Sequence, residues 1–133
     1  MSRRWRAAVV ALAVLAAVVV NLIVYAVGRA AGGTFRFTSA GAPAEVDAVT
    51  VAGFSAVPLL VGLVAVALLA PLGGWVARVA LVLGPLLAIG TVVAMTVPAD
   101  FDRASTVTLA VCHLVLVPVI LLAVPRLSPA GRY

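Results

Sequence analysis

The sequence predicts an all-α membrane protein: a bundle of four transmembrane helices, with a small extracytoplasmic β-hairpin between helices 1 and 2. Of the 133 residues, 65% are hydrophobic and only 10% are charged, and the mean hydropathy is +1.30. A water-soluble domain could not bury so much apolar surface in one core. Four stretches each reach the roughly 20 apolar residues that a bilayer core requires. They are residues 7–28, 52–70, 76–97 and 105–124.

The first stretch follows "MSRRWR", which resembles the basic start of a signal peptide. Its apolar run extends over residues 7–28, whereas the apolar region of a signal peptide has about 7–15 residues. We therefore favour an uncleaved first helix. Since little chain remains outside the four stretches, residues 1–133 are predicted to form a single integral membrane domain.

The segment at residues 33–51 predicts the hairpin. Apolar and polar residues alternate in "TFRFT" and again in "EVDAVT", on either side of a "SAGAPA" turn region. Phe35, Phe37 and Val46 are expected to face the helix ends or the lipid headgroups. Arg36 is expected opposite Glu45 or Asp47. The alternative is an irregular loop, with the second helix starting early at Asp47.

Two short connections separate the remaining helices. "APLGGW" at residues 70–75 predicts a tight turn, because Pro71 cannot continue a helix and two glycines permit the reversal. Helices 2 and 3 are therefore expected to be antiparallel neighbours. "VPADFDR" at residues 97–103 predicts a second turn, after which Asp102 or Ser105 caps helix 4.

The charge distribution predicts a plasma-membrane protein with both termini in the cytoplasm. The net charge of +5 would suggest nucleic acid in a soluble protein, but here we interpret it as topology and expect no nucleic-acid partner. All nine basic residues are arginine, and this orientation places six inside and three outside. Those inside are Arg3, Arg4, Arg6, Arg78, Arg126 and Arg132, and those outside are Arg29, Arg36 and Arg103.

A polar layer is predicted in the outer half of the bundle. Asn21, Tyr25 and Arg29 follow one another at four-residue intervals and so form one stripe on helix 1. Each other helix brings a polar residue to a similar depth. The candidate residues are Asn21, Tyr25, Arg29, Ser55, Thr91 and His113.

An amide or imidazole facing lipid tails would be costly, so the stripe should face the bundle interior, with Asn21 and His113 as hydrogen-bond partners. Two interpretations stay open. In the first, this pair only locks helix 1 to helix 4. In the second, the layer lines a cavity for a small molecule, a lipid group, a proton or a metal.

Catalysis and cofactor binding are not indicated. Walker, GxGxxG, HExxH and GxSxG patterns are absent, and a lone histidine with a lone cysteine does not make a metal site. We therefore expect no enzyme activity, no metal and no cofactor. No acidic residue lies within a span, which argues against proton-coupled cation export. An enzyme acting on lipid with His113 as base ranks last, because His113 lies too deep for easy access to headgroups.

Several short motifs resemble a family of small four-helix membrane proteins from GC-rich bacteria, known as a domain of unknown function. The resemblance covers nearly the whole chain and implies the fold and topology but no reaction. This chain departs from it at Cys112, where the family commonly has methionine before the helix-4 histidine. The motifs are Asn21, Tyr25, Gly28-Arg29, Thr34-Phe35, "GAPAEV" at 41–46, Val57-Pro58 and His113.

These observations lead to two functional hypotheses. The first is a non-enzymatic structural or partner-binding membrane component that associates, within the lipid bilayer, with itself or with another membrane protein. It rests on rows of small residues, such as Ala13 and Ala17 or Ala80 and Gly84, that let helices approach closely. The alternative is binding or transport of a small molecule or lipid through the polar layer.

Overall fold

The computed structural model describes residues 2–128, so the predicted cytoplasmic Arg132 lies outside the described residues. Four helices dominate this part of the chain, and a two-stranded antiparallel hairpin joins the first two, which confirms the predicted fold class. All four helices are long and apolar enough to cross a membrane, as expected of a multi-pass membrane protein. The elements are α1 (Arg3–Ala30), β1 (Arg36–Ser39), β2 (Ala42–Glu45), α2 (Ala48–Leu69), α3 (Trp75–Thr91), which a π-helical segment (Val92–Thr96) continues, and α4 (Arg103–Leu127).

Helix α1 packs against both α2 and α4. Its small-residue row faces this contact: Ala13 is 9% exposed, and Ala17 is completely buried. Further along the same helix, a Cβ placed on Gly28 would lie 2.3 Å from Oγ1 of Thr108 on α4. Close approach of α1 and α4 therefore depends on small side chains, as is common where lipid supplies no hydrophobic drive between helices.

Helix α3 packs mainly on α4 and contacts α2 little, although only a turn at Ala70–Leu72 and two glycines separate α2 from α3. A Cβ on Gly84 would lie 2.9 Å from Cγ2 of Ile120, so α3 sits directly against α4. Helices α2 and α3 are thus neighbours, as expected, but they pack less extensively on each other than α3 packs on α4. We call the resulting gap the α2–α3 groove; Pro58, Gly62, Leu87 and Ile120 are among its lining residues.

The hairpin has a two-residue turn. Ser39 pairs with Ala42, and both turn residues, Ala40 and Gly41, have positive φ, at 49° and 79°. Left-handed conformation at both positions matches the right-handed twist of the flanking strands. Arg36 pairs with Glu45, as predicted, with Arg36 Nε 3.7 Å from Glu45 Oε2.

The hairpin is docked on the helix ends by its aromatic residues. Phe35 is completely buried, and its ring centroid lies 4.6 Å from that of Tyr25 on α1. The ring centroid of Phe37 lies 4.9 Å from that of Phe101, which is in the connection between α3 and α4. A two-stranded hairpin is marginal alone, so these contacts give it a fixed position on the bundle. Helix α2 begins at Ala48, directly after the hairpin, with Asp47 as its N-cap.

Candidate functional site

Asn21 joins three helices through one side-chain nitrogen. Asn21 Nδ2 on α1 donates a hydrogen bond to Ser55 Oγ on α2 at 2.8 Å and another to the backbone carbonyl of Cys112 on α4 at 3.0 Å. Asn21 is only 1% exposed. It lies four residues beyond Ala17 in the buried row of α1, so Asn21 faces the bundle interior as predicted.

The predicted partnership between Asn21 and His113 is wrong. His113 Nδ1 instead lies 2.8 Å from the carbonyl oxygen of Leu109, one turn earlier in α4. Neighbouring residues on a helix point about 100° apart. Since Cys112 is buried against α1, with its sulfur 3.8 Å from the Asn21 carbonyl oxygen, the next side chain turns towards the α2–α3 side.

A cavity of about 230 Å³ lies between the hairpin and the helices, and we call it the Asn21 cavity. Its lining brings together four of the six predicted residues, one from each helix. Tyr25 and Arg29 are not among its lining residues. The polar lining includes Asn21, Glu45, Ser55, Thr91, Thr96 and His113.

The other amide atom of Asn21, Oδ1, is buried and has no hydrogen-bond partner. Exchanging the two amide atoms would not relieve this, because the oxygen would then face the Cys112 carbonyl, which cannot donate. An unsatisfied buried polar atom costs about 1–3 kcal/mol. Asn21, which lines the cavity, therefore carries an acceptor that the protein itself leaves unused.

Three further polar side chains that line the cavity, those of Ser55, Thr91 and His113, can present acceptors. Ser55 donates its hydroxyl hydrogen to the Val51 carbonyl at 2.7 Å, and Thr91 donates to the Leu87 carbonyl at 2.6 Å. Because the Leu109 carbonyl oxygen only accepts hydrogen bonds, Nδ1 must be the ring nitrogen of His113 that carries the hydrogen in this contact. In that tautomer, Nε2 is an acceptor. The site is thus chemically suited to a molecule that donates hydrogen bonds.

Tyr25 and Arg29 position the hairpin at the mouth of the cavity. The Tyr25 hydroxyl donates to the Val46 carbonyl at 3.2 Å. Arg29 donates to the Thr34 carbonyl at 3.1 Å and forms an ion pair with Glu45 at 3.2 Å. The upper part of the predicted stripe therefore holds the β segment, whereas Asn21 alone reaches the cavity.

The family model described as "Family of unknown function (DUF6069)" matches residues 1–130. The chain belongs to this DUF6069 family. Membership confirms the resemblance to a domain of unknown function. No curated protein and no solved structure matches the chain.

In this DUF6069 protein, the loop before α4 also contributes to the site by fastening the hairpin. Asp102 Oδ2 accepts from the Thr34 amide at 3.0 Å and from the Thr34 hydroxyl at 2.8 Å. Asp100 binds the amide and hydroxyl of Thr38, each at 2.7 Å. Asp102 also caps α4, as predicted, because its Oδ1 accepts from the Ser105 amide at 2.9 Å.

These hydrogen bonds favour the ionised form of both carboxyl groups. Bonds from the Ser105 hydroxyl and amide and from Thr34 hold the pKa of Asp102 well below its usual range. The Thr38 hydroxyl and amide lower the pKa of Asp100. The DUF6069 protein thus ties its hairpin to the α3–α4 connection through charge-assisted bonds. Sequence reasoning missed this role, since threonine–aspartate pairs so far apart in the chain leave no local pattern.

Metal binding lacks a suitable cluster in the part of this DUF6069 protein that the structure describes. Within residues 2–128, no group of three or more histidine, cysteine, aspartate or glutamate side chains could hold a metal ion. The carboxylates of Asp100 and Asp102 instead accept hydrogen bonds from hairpin residues.

Proposed function

We propose that this membrane protein is a non-enzymatic binding protein that holds a small molecule in the Asn21 cavity. The observation that carries the proposal is the unused Oδ1 of Asn21. A residue that served only to clasp helices would need its donor nitrogen alone. A bound donor group would satisfy the oxygen and offset its desolvation.

Two contacts favour ligand binding over the partner-binding hypothesis. The small-residue row of Ala13 and Ala17 is buried within the bundle, and Gly84 packs on Ile120 of the same chain. These rows therefore serve packing inside one molecule. That use removes the main sequence argument for association between copies or with another membrane protein.

Binding is favoured over catalysis by the hydrogen-bond assignments of the possible nucleophiles. The Ser55 hydroxyl donates to Val51, and the Cys112 thiol is directed to the Asn21 carbonyl. Nucleophilic catalysis would require such a hydrogen to be directed at a base. His113 is engaged with its own helix through Nδ1.

We further propose that the protein resides in the plasma membrane with both termini in the cytoplasm. This orientation rests on the arginine bias and places the hairpin and the mouth of the Asn21 cavity outside the cell. A ligand would then enter from the outer surface or from the outer half of the bilayer.

Native mass spectrometry of the full chain released from its own membranes tests the proposal. We expect wild-type protein to retain a bound small molecule and His113→Phe to retain roughly five- to tenfold less, because one acceptor is lost. Leu114→Phe is the matched control, since Leu114 is on the same helix, is 49% exposed and lies outside the cavity lining.

The thermal midpoint of each variant should stay close to that of the wild type. Wild-type protein that carries no retained molecule would contradict the proposal. So would equal losses of retained molecule and of stability in His113→Phe, which would make the polar layer structural.

A further inference from the structure

The Asn21 cavity continues into the α2–α3 groove. The groove has a volume of about 290 Å³, and it shares four lining residues with the cavity. From this shared region it runs away from the hairpin, between Gly62 on α2 and Gly84 on α3, towards Val124 on α4. The shared residues are Phe54, Thr91, His113 and Leu116.

Hydrocarbon is the chemistry that suits the groove. Apart from Thr91 and His113 at its junction with the cavity, its lining side chains are apolar. It lies within the membrane-spanning part of α2 and α3, and its rim residues Leu83 and Leu87 are 51% and 69% exposed. A Cβ on Gly62 would meet nothing within 4 Å, so the groove has free space at this point. A lipid chain can enter it sideways from the bilayer.

The cavity at the upper end of the groove suits an uncharged donor. Asn21 Oδ1 and His113 Nε2 can accept hydrogen bonds, as the preceding geometry shows. A buried ammonium group would need a counter-charge. Glu45 is the acidic residue of the lining, and it is already paired with Arg29 and Arg36. A carboxylate head would in turn meet acceptors and be repelled. A hydroxyl group is uncharged and can donate its one hydrogen to either of the two acceptors.

We propose that the site holds a lipid alcohol, with its hydroxyl group at Asn21 and His113 and its hydrocarbon chain in the α2–α3 groove. This inference rests on the proposed binding function and specifies its ligand class. It follows from two adjoining features: an acceptor left unused at the end of an apolar channel, and the opening of that channel to lipid.

Photolabelling of the full chain in lipid nanodiscs tests the ligand class. The probe is hexadecanol carrying a photoreactive diazirine in its chain, compared with the carboxylic acid and the amine of the same chain. We expect the alcohol to label peptides of α2 and α3 that line the groove. The acid and the amine should label them at least about tenfold less, because each would bury an uncompensated charge.

Two glycine variants test the route of the chain. Gly62→Phe fills the groove and should abolish labelling by the alcohol. Gly53→Phe is the matched control, because Gly53 is on the same helix, has equally open space around it and lies outside both linings. His113→Phe should reduce labelling roughly five- to tenfold without closing the groove.

Equal labelling by the three probes would overturn the inference, as would labelling that survives in Gly62→Phe. If native mass spectrometry still shows a His113-dependent molecule in either case, the proposed binding function stands and only the lipid alcohol is wrong. If neither experiment shows dependence on His113, both proposals fail.

Discussion

Asn21 divides its two amide atoms between two tasks. Its nitrogen holds α2 and α4 to α1, and its oxygen faces no partner. The sequence could show that an asparagine on a greasy helix must face inward. It could not show which amide atom would form the interhelical hydrogen bonds. That depends on the rotation of α4, which brings the Cys112 carbonyl to Asn21 and turns His113 away.

Phe35 is the residue on which hairpin docking most depends. Its φ of 56° is unusual for a bulky residue, and the conformation is held by two contacts. Its amide donates to Ser105 Oγ at 2.8 Å, and its ring is completely buried beside Tyr25.

We expect Phe35→Ala to lower the free energy of unfolding by about 3–5 kcal/mol, as is usual for loss of a buried aromatic ring. Phe37→Ala, at a half-buried position, should cost clearly less. Reversible denaturation in mixed detergent micelles measures both. Equal losses of unfolding free energy in the two variants would show that Phe35 contributes no more to hairpin docking than Phe37 does.

At the scale of elements, the four helices and the hairpin were predictable because length, hydropathy and alternation are local signals. The relation between elements was harder to predict. The short turn between α2 and α3 predicted that they are antiparallel neighbours, but it did not indicate that α3 packs mainly on α4, where Gly84 admits Ile120. The groove that results from this arrangement has no signature in the order of residues.

Docking of the hairpin is expected to depend on pH. Because the folded pKa values of Asp100 and Asp102 are lowered, their contribution is present above the unfolded carboxyl pKa of about 3.9. It is lost as the pH falls through the lower folded values. Hydrogen-exchange protection at the Thr34 and Thr38 amides should therefore be constant near neutral pH and fall below about pH 4.

Asp102→Asn should weaken protection at Thr34 even at neutral pH. Asp47→Asn is the control, because the Asp47 carboxylate accepts its hydrogen bonds from Thr50, at the start of α2, and not from the hairpin. Protection that persists unchanged into strong acid, or that is equally weak in both variants, would contradict the assigned role of the aspartates.

At the scale of the whole molecule, the proposed orientation can be tested with single cysteines. The single-cysteine variants are made in a protein in which the buried Cys112 has first been replaced by alanine. Ser39→Cys then places a thiol beside the hairpin turn, and Leu72→Cys places one at the opposite end of the bundle, at a position 65% exposed.

A membrane-impermeant maleimide added to intact cells should label Ser39→Cys and leave Leu72→Cys unlabelled until the cells are broken. The reason is that the arginine-rich end is expected to stay in the cytoplasm. Labelling of Leu72→Cys in intact cells would show that the orientation is the reverse of the one proposed.

The threonine–aspartate bonds also set an order of events during synthesis. Thr34 and Thr38 emerge from the ribosome 68 and 62 residues before Asp102 and Asp100. At translation rates of about 5–20 residues per second, this interval lasts roughly 3 to 14 s. During this interval the hairpin lacks these bonds and can be held only by its contacts with α1, such as those of Tyr25 and Arg29.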